Sequence, residues 1–111
     1  MSTAGSSDFR FTELCLDARD PWRVGRFWAA ALGLEPRPHR HRPGVVGLWH
    51  GDDAVLWANP VVQAKVGKNR VHLDLWVPEP DRLLALGAGV MAEQADWTVL
   101  ADPEGNELCA F

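Results

Sequence analysis

The chain has 111 residues, 47% apolar and 23% charged, which is enough for one soluble domain with a modest core. A net charge of −4 argues against nucleic acid or an anionic membrane as partner, and no apolar run is long enough to span a bilayer. Six Trp and no Tyr supply flat apolar surface while removing Tyr as a general acid.

Residues 1–8 (Met1 to Ser7 above all) lack a basic start and an apolar stretch, so they are expected to be a loose tail rather than a leader. Residues 9–111 are expected to form one domain. Cys15 and Cys109 lack CxxC spacing and read as two reduced thiols of a cytoplasmic protein.

Phe9 to Asp17 alternates, with Phe11, Glu13, Cys15 and Asp17 on one face, and predicts a first strand. Asp20-Pro21 opens a helix as N-cap and first helical residue, Val24, Phe27, Trp28, Ala31 and Leu32 form its apolar stripe, and Gly33 ends it. Glu35 to His41 is a weak edge strand interrupted by Pro36 and Pro38. His39-Arg40-His41-Arg42 within it reads as a solvated edge. Val45 to Trp49 and Ala54 to Asn59 follow as strands, the latter with Val55, Trp57 and Asn59 on one face.

The run from Arg70 to Val77 predicts the central strand. Val71, Leu73, Leu75 and Val77 point to apolar packing, whereas His72, Asp74 and Trp76 make a face suited to a cavity wall. Lys65, Lys68 and Arg70 cluster before it and read as a solvated or interface face. A short helix from Glu79-Pro80 to Gly87, strands over Gly89–Glu93 and Trp97–Ala101, an Asp102-Pro103-Glu104-Gly105 turn and a strand over Glu107–Phe111 complete the chain.

The order β-α-β-β-β thus occurs twice, over about residues 9–62 and 68–111. A shift of 59 lays Leu73 on Leu14, Leu75 on Leu16, Pro80 on Pro21 and His72 on Glu13. The expected fold is α+β: two βαβββ modules forming a cup-shaped mixed sheet with helices outside. GxSxG, P-loop, GxGxxG and HExxH motifs do not occur.

Three segments carry a family resemblance: Arg70-Val71-His72-Leu73-Asp74-Leu75, the helix end Phe27 to Leu34, and Trp97 to Glu107 with its Asp-Pro-Glu-Gly-Asn-Glu turn. They resemble the glyoxalase/bleomycin-resistance, or vicinal-oxygen-chelate, superfamily, and within it the actinobacterial-type glyoxalase-like branch, a bacterial group. The resemblance implies four metal-ligand positions, on the first, fourth, fifth and eighth strands, which fall here on Glu13, Trp57, His72 and Cys109. An indole cannot coordinate, so no metal and no other cofactor is expected, and the set reads as vestigial. The resemblance then implies binding of a small, partly planar molecule in the cup by Glu13, Trp57, His72, Asp74, Trp76, Glu107 and Cys109, in a homodimer.

Two alternatives stay open. One is a lyase, isomerase or dioxygenase whose divalent ion (Ni, Zn, Fe or Mn) is held by Glu13, His72 and a third group such as Glu107. Glu13 and His72 would be its catalytic candidates. The other is a non-catalytic dimerisation or docking domain.

Overall fold

A computed structural model describes residues 8–111, so the expected tail over Met1 to Ser7 lies outside the described residues. In chain order the elements are β1 (Leu14–Ala18), α1 (Pro21–Leu32), β2 (Glu35–Pro38), β3 (Val46–His50), β4 (Asp53–Pro60), β5 (Leu73–Leu75), α2 (Pro80–Ala85), β6 (Gly89–Glu93), β7 (Thr98–Ala101) and β8 (Glu107–Ala110). They form two four-stranded mixed sheets, ordered β1-β4-β3-β2 and β5-β8-β7-β6. Each sheet contains one parallel pair, β1 with β4 and β5 with β8. The repeated element order is therefore a repeated topology, and the α+β fold with two βαβββ modules is the fold observed.

Local chemistry places α1 where the sequence predicts it. The Asp20 carboxylate accepts from Arg23 N at 3.2 Å, Pro21 occupies the first turn, and Gly33 takes the left-handed conformation at φ 70°. Leu34 N then donates to Ala29 O at 2.8 Å and closes the helix end. The buried face of α1 carries Val24, Phe27 and Trp28, which join Leu48, Leu56, Leu100 and Leu108 in one core. Burying each such side chain is worth about 1.5–3 kcal/mol, so this shared core is what holds the two modules together.

Two strands are shorter than their alternation implies. The β1 ladder with β4 begins at Leu14, and Phe9 and Phe11 remain exposed. Likewise β5 covers only Leu73–Leu75, because its partner β8 offers four residues and the Asn69 side chain donates to Val71 O at 3.0 Å, bending the chain there. Val71, expected in the apolar packing, is consequently exposed. Pairing persists a little beyond the strand, since Val77 N donates to Phe111 O and Phe111 N to Leu75 O.

Register assigns each sheet its two faces. In the first, Leu14, Leu16, Leu48, Leu56 and Ala58 face the core, so their alternates Cys15, Asp17, Gly47, Trp57 and Asn59 share the opposite face. In the second, Leu73, Leu75, Leu100, Leu108 and Ala110 face the core, and Asp74, Val99, Glu107 and Cys109 turn away from it.

Candidate functional site

On the first sheet the face turned from the core is aromatic. Trp57 meets Trp49 edge to face, ring centroids 5.8 Å apart, and His39 lies 5.1 Å from Trp57. These rings, with His41, Arg37, Arg40 and Asp52, line a cavity of about 460 Å³. Gly47 is what lets both indoles pack closely over β3. A Cβ there would stand 2.6 Å from Trp49 Nε1 and 2.8 Å from Trp57 Cζ3, closer than a carbon can sit.

The polar atoms around this cavity are mostly donors. His39 Nδ1 accepts from the backbone N–H of His41 at 3.0 Å and of Arg42 at 2.9 Å, which leaves the ring hydrogen on Nε2. Trp57 is 9% exposed, and its indole N–H is buried with no hydrogen-bond partner among the described residues. Such a buried donor is costly to leave unmade. Asn59 Oδ1, two residues along the same face, also has no partner among the described residues. Arg37 is already occupied, paired with Glu35 at 3.0 Å and lying over the Trp49 ring at 5.3 Å.

On the second sheet, His72 Nδ1 lies 3.1 Å from Asp74 Oδ1, and Asp74 is the register partner of Cys109. One ligand atom from each of these three residues falls within 4.8 Å of the other two. Burial pushes the Cys109 thiol above its ordinary range, and the Asp74 carboxylate adds to the rise. Glu107 is engaged elsewhere. It pairs with Lys68, lies 3.7 Å from Lys65 and accepts from Asn69 N at 3.2 Å. The Lys68 hydrogen bond holds its carboxyl below the usual range against the opposing effect of burial.

A second cavity, about 360 Å³, opens along the seam between β1 and β5, with Cys15, Asp17, Asn69, His72, Asn106 and Glu107 in its wall. The seam is latched by the 102–106 turn. The Glu104 carboxylate accepts from Arg19 N at 2.6 Å and Asp20 N at 2.7 Å, and Asp102 binds Trp28 of α1.

The seven residues nominated from sequence therefore divide. His72, Asp74 and Cys109 come together, while Glu107 lies on the same sheet but belongs to the lysines. Trp57 sits in the aromatic cavity of the other sheet. Trp76 is 83% exposed and lines a separate cavity of about 340 Å³ with Asp74 and residues of α1 and α2. Glu13 precedes β1, has Arg42 at 4.0 Å, and is not part of the His72 group. Of the four superfamily ligand positions, Trp57 carries an indole with no lone pair to give a metal, and Glu13 is not part of the group formed by His72, Asp74 and Cys109.

Sequence reading missed Trp49, His39 and Gly47. Gly47 is the register partner of Trp57, and Trp49 follows two residues along β3, past an irregularity that sets it opposite Ala54; this signal is available only once the hairpin is aligned. His39 was obscured by its basic neighbours, which read as solvated edge.

The glyoxalase-like domain family model matches residues 13–111. No curated protein matches the chain. Among solved structures, a glyoxalase/bleomycin resistance protein/dioxygenase family enzyme from Burkholderia phytofirmans PsJN is 20% identical, over 88% of this chain and 94% of that one, with a TM-score of 0.62. The trypanothione-dependent glyoxalase I of Leishmania major is 18% identical over 94% and 86%, with a TM-score of 0.65. The fosfomycin resistance protein FosX from Mesorhizobium loti is 11% identical over 91% and 89%, with a TM-score of 0.63. At these identities the structures attest the fold alone. The match over residues 13–111, together with the two βαβββ modules, places this protein in the glyoxalase-like domain family of the vicinal-oxygen-chelate superfamily.

Proposed function

We propose that this protein binds a small, partly planar organic molecule against Trp57 and Trp49, on the face of the first sheet turned away from the core. The carrying observation is the cavity walled by the rings of Trp57, Trp49 and His39. Two indoles and an imidazole favour a conjugated ring held by stacking and edge contacts, each worth about 0.5–1.5 kcal/mol beyond area burial. The ring N–H of His39 calls for an acceptor on the ligand, such as a conjugated carbonyl or carboxylate oxygen. His72, Asp74, Cys109 and Glu107 lie on or beside the second sheet, and Trp76 lines a separate cavity.

The superfamily's metal-dependent chemistry fits these residues poorly. It would need Glu13, His72 and Glu107 as ligands, and Glu107 is already held by Lys68 and Lys65. A homodimer belongs to the same reading. Val71, Trp76, Met91 and Phe111 are all at least half exposed, apolar surface of the kind a second copy covers.

A small-molecule panel read by Trp fluorescence, repeated on Trp57→Phe and Trp49→Phe, tests the binding. Binders should lose affinity several-fold in both variants, and unchanged affinity in both rejects the site. Light scattering across the micromolar range tests the dimer, which a monomer throughout would exclude.

A further inference from the structure

We propose that the molecule taken by the aromatic cavity is a monoanion: a flat, conjugated carboxylic acid whose carboxylate is held by His39 and Arg40. This class follows only if the ligand sits against Trp57 and Trp49, as proposed above. Charge is spread unevenly along the chain. Its net charge is −4, yet the stretch from Pro36 to Gly51 holds three Arg and three His and no Asp or Glu. β2, β3 and the loop between them set Arg37, His39, Arg40 and His41 in the cavity wall. Among the described residues, Asp52 is the one acid in that wall.

The cations of this wall are not equally free. Arg37 is bound by Glu35 at 3.0 Å, and Asp52 acts on it as well. Arg42 faces Glu13 at 4.0 Å and is not in the wall. Arg40 has no ion-pair partner among the described residues. His39 is fixed as a donor: its Nδ1 accepts from the backbone N–H of His41 at 3.0 Å and of Arg42 at 2.9 Å, so the ring hydrogen is on Nε2. A chain of rings joins these donors to the indoles. Trp49 lies 5.8 Å from Trp57, Trp57 lies 5.1 Å from His39, and His39 lies 6.2 Å from His41, centroid to centroid. A flat ring stacked at the indole end therefore carries a substituent on its edge toward His39 and Arg40.

The chemistry of those two groups selects the substituent. A carboxylate accepts from an imidazole N–H through one oxygen and from a guanidinium through the other, and its plane matches the guanidinium fork. Conjugation to the ring keeps the whole molecule flat against the indoles. A cationic ligand would meet two arginines with only Asp52 in its favour. A dianion would set its second charge against Asp52 with a single unpaired guanidinium to offset it. The competing reading is that Arg40 and His41, both exposed, only solvate the sheet edge. In that case an acid and its neutral amide bind alike.

The test is calorimetric titration of the full-length protein with three matched probes: naphthoate, naphthamide and naphthylmethylamine. Naphthoate should bind about tenfold more tightly than naphthamide, and the amine more weakly than either. Added salt should shrink the preference for the acid, because Arg40 is exposed. Arg40→Gln should cut the acid-to-amide ratio several-fold, and Arg42→Gln, outside the wall, should leave it unchanged. His39→Asn should weaken naphthoate several-fold, since its side-chain oxygen can still accept the two backbone N–H groups but offers no Nε2–H. The proposal is overturned by equal affinity for acid and amide, by a ratio unmoved in Arg40→Gln, or by failure of naphthoate to bind at millimolar concentration. Acid and amide bound alike, and weakened alike by Trp57→Phe and Trp49→Phe, would reject the charge and leave the aromatic site standing. An Arg40-dependent preference with affinity unmoved in both Trp variants would reject the aromatic site and the ligand class assigned to it.

Discussion

The indole Nε1 of Trp28 donates to Asp102 Oδ2 at 2.8 Å, joining the buried face of α1 to the turn between β7 and β8. The same carboxylate accepts from Glu104 N at 2.8 Å, from Asn106 N at 3.0 Å and from Asn106 Nδ2 at 2.9 Å. Asp102 is 4% exposed, so each of these donors depends on it. One side chain thus shapes the turn and fastens the first module to the second.

Asp102→Ala should therefore be among the costliest single changes in the chain. It leaves a buried indole N–H and turn donors without partners, at about 1–3 kcal/mol for each one kept from water, so a total loss of about 3 kcal/mol or more is expected. Trp28→Phe keeps most of the ring packing and the three turn hydrogen bonds, and should cost distinctly less. Urea denaturation of both variants checks the order, and an Asp102→Ala loss below about 1 kcal/mol would refute the latch.

Glu107 should make stability fall on acidification. Its folded carboxyl titrates below the ordinary value of 4.5 because Lys68 stabilises the charged form. Its contribution is complete above the unfolded value and is lost as pH drops through the folded one. Glu107→Gln should destabilise the protein at pH 7 and flatten the dependence below pH 5. Thermal midpoints measured from pH 3 to 7 would show this, and identical slopes for the two proteins would count against it. Added salt should weaken the effect, because Lys68 is largely exposed.

Gly47→Ala tests the cradle that holds the two indoles. The added methyl must displace Trp49, Trp57 or the strand, and overpacking of this kind costs about 1–3 kcal/mol. Ligand affinity should fall along with stability. Unchanged affinity and unchanged near-UV dichroism would mean that the rings are not seated as described.

The fold was legible because its signals are local and repeated. Asp20-Pro21 and Gly33 bound a helix, alternation marks strands, and the 59-residue shift reveals the duplication. Strand ends were less legible: alternation continues through Phe9, Phe11 and Val71, but the ladders stop where their partners stop. The grouping of His72 with Asp74 follows from spacing alone, and Cys109 joins them through a parallel register that the repeat implies. Trp57 and Trp76 were expected to share one cup with His72, because parity gives the face of a strand but not which sheet stands opposite it. In the single chain the two indoles line different cavities. The role of Gly47 is invisible in sequence, because it depends on two rings meeting over a strand.

The central claim is that a planar, acceptor-bearing ligand sits against Trp57 and Trp49. The most direct measurement is the indole ¹H–¹⁵N spectrum, in which six tryptophans give six resolvable signals assignable by single Trp→Phe variants. Titrated with a binder from the panel, the Trp57 and Trp49 signals should shift saturably together. Shifts confined to Trp76 or Trp97, with Trp57 and Trp49 unmoved at saturation, would contradict the account.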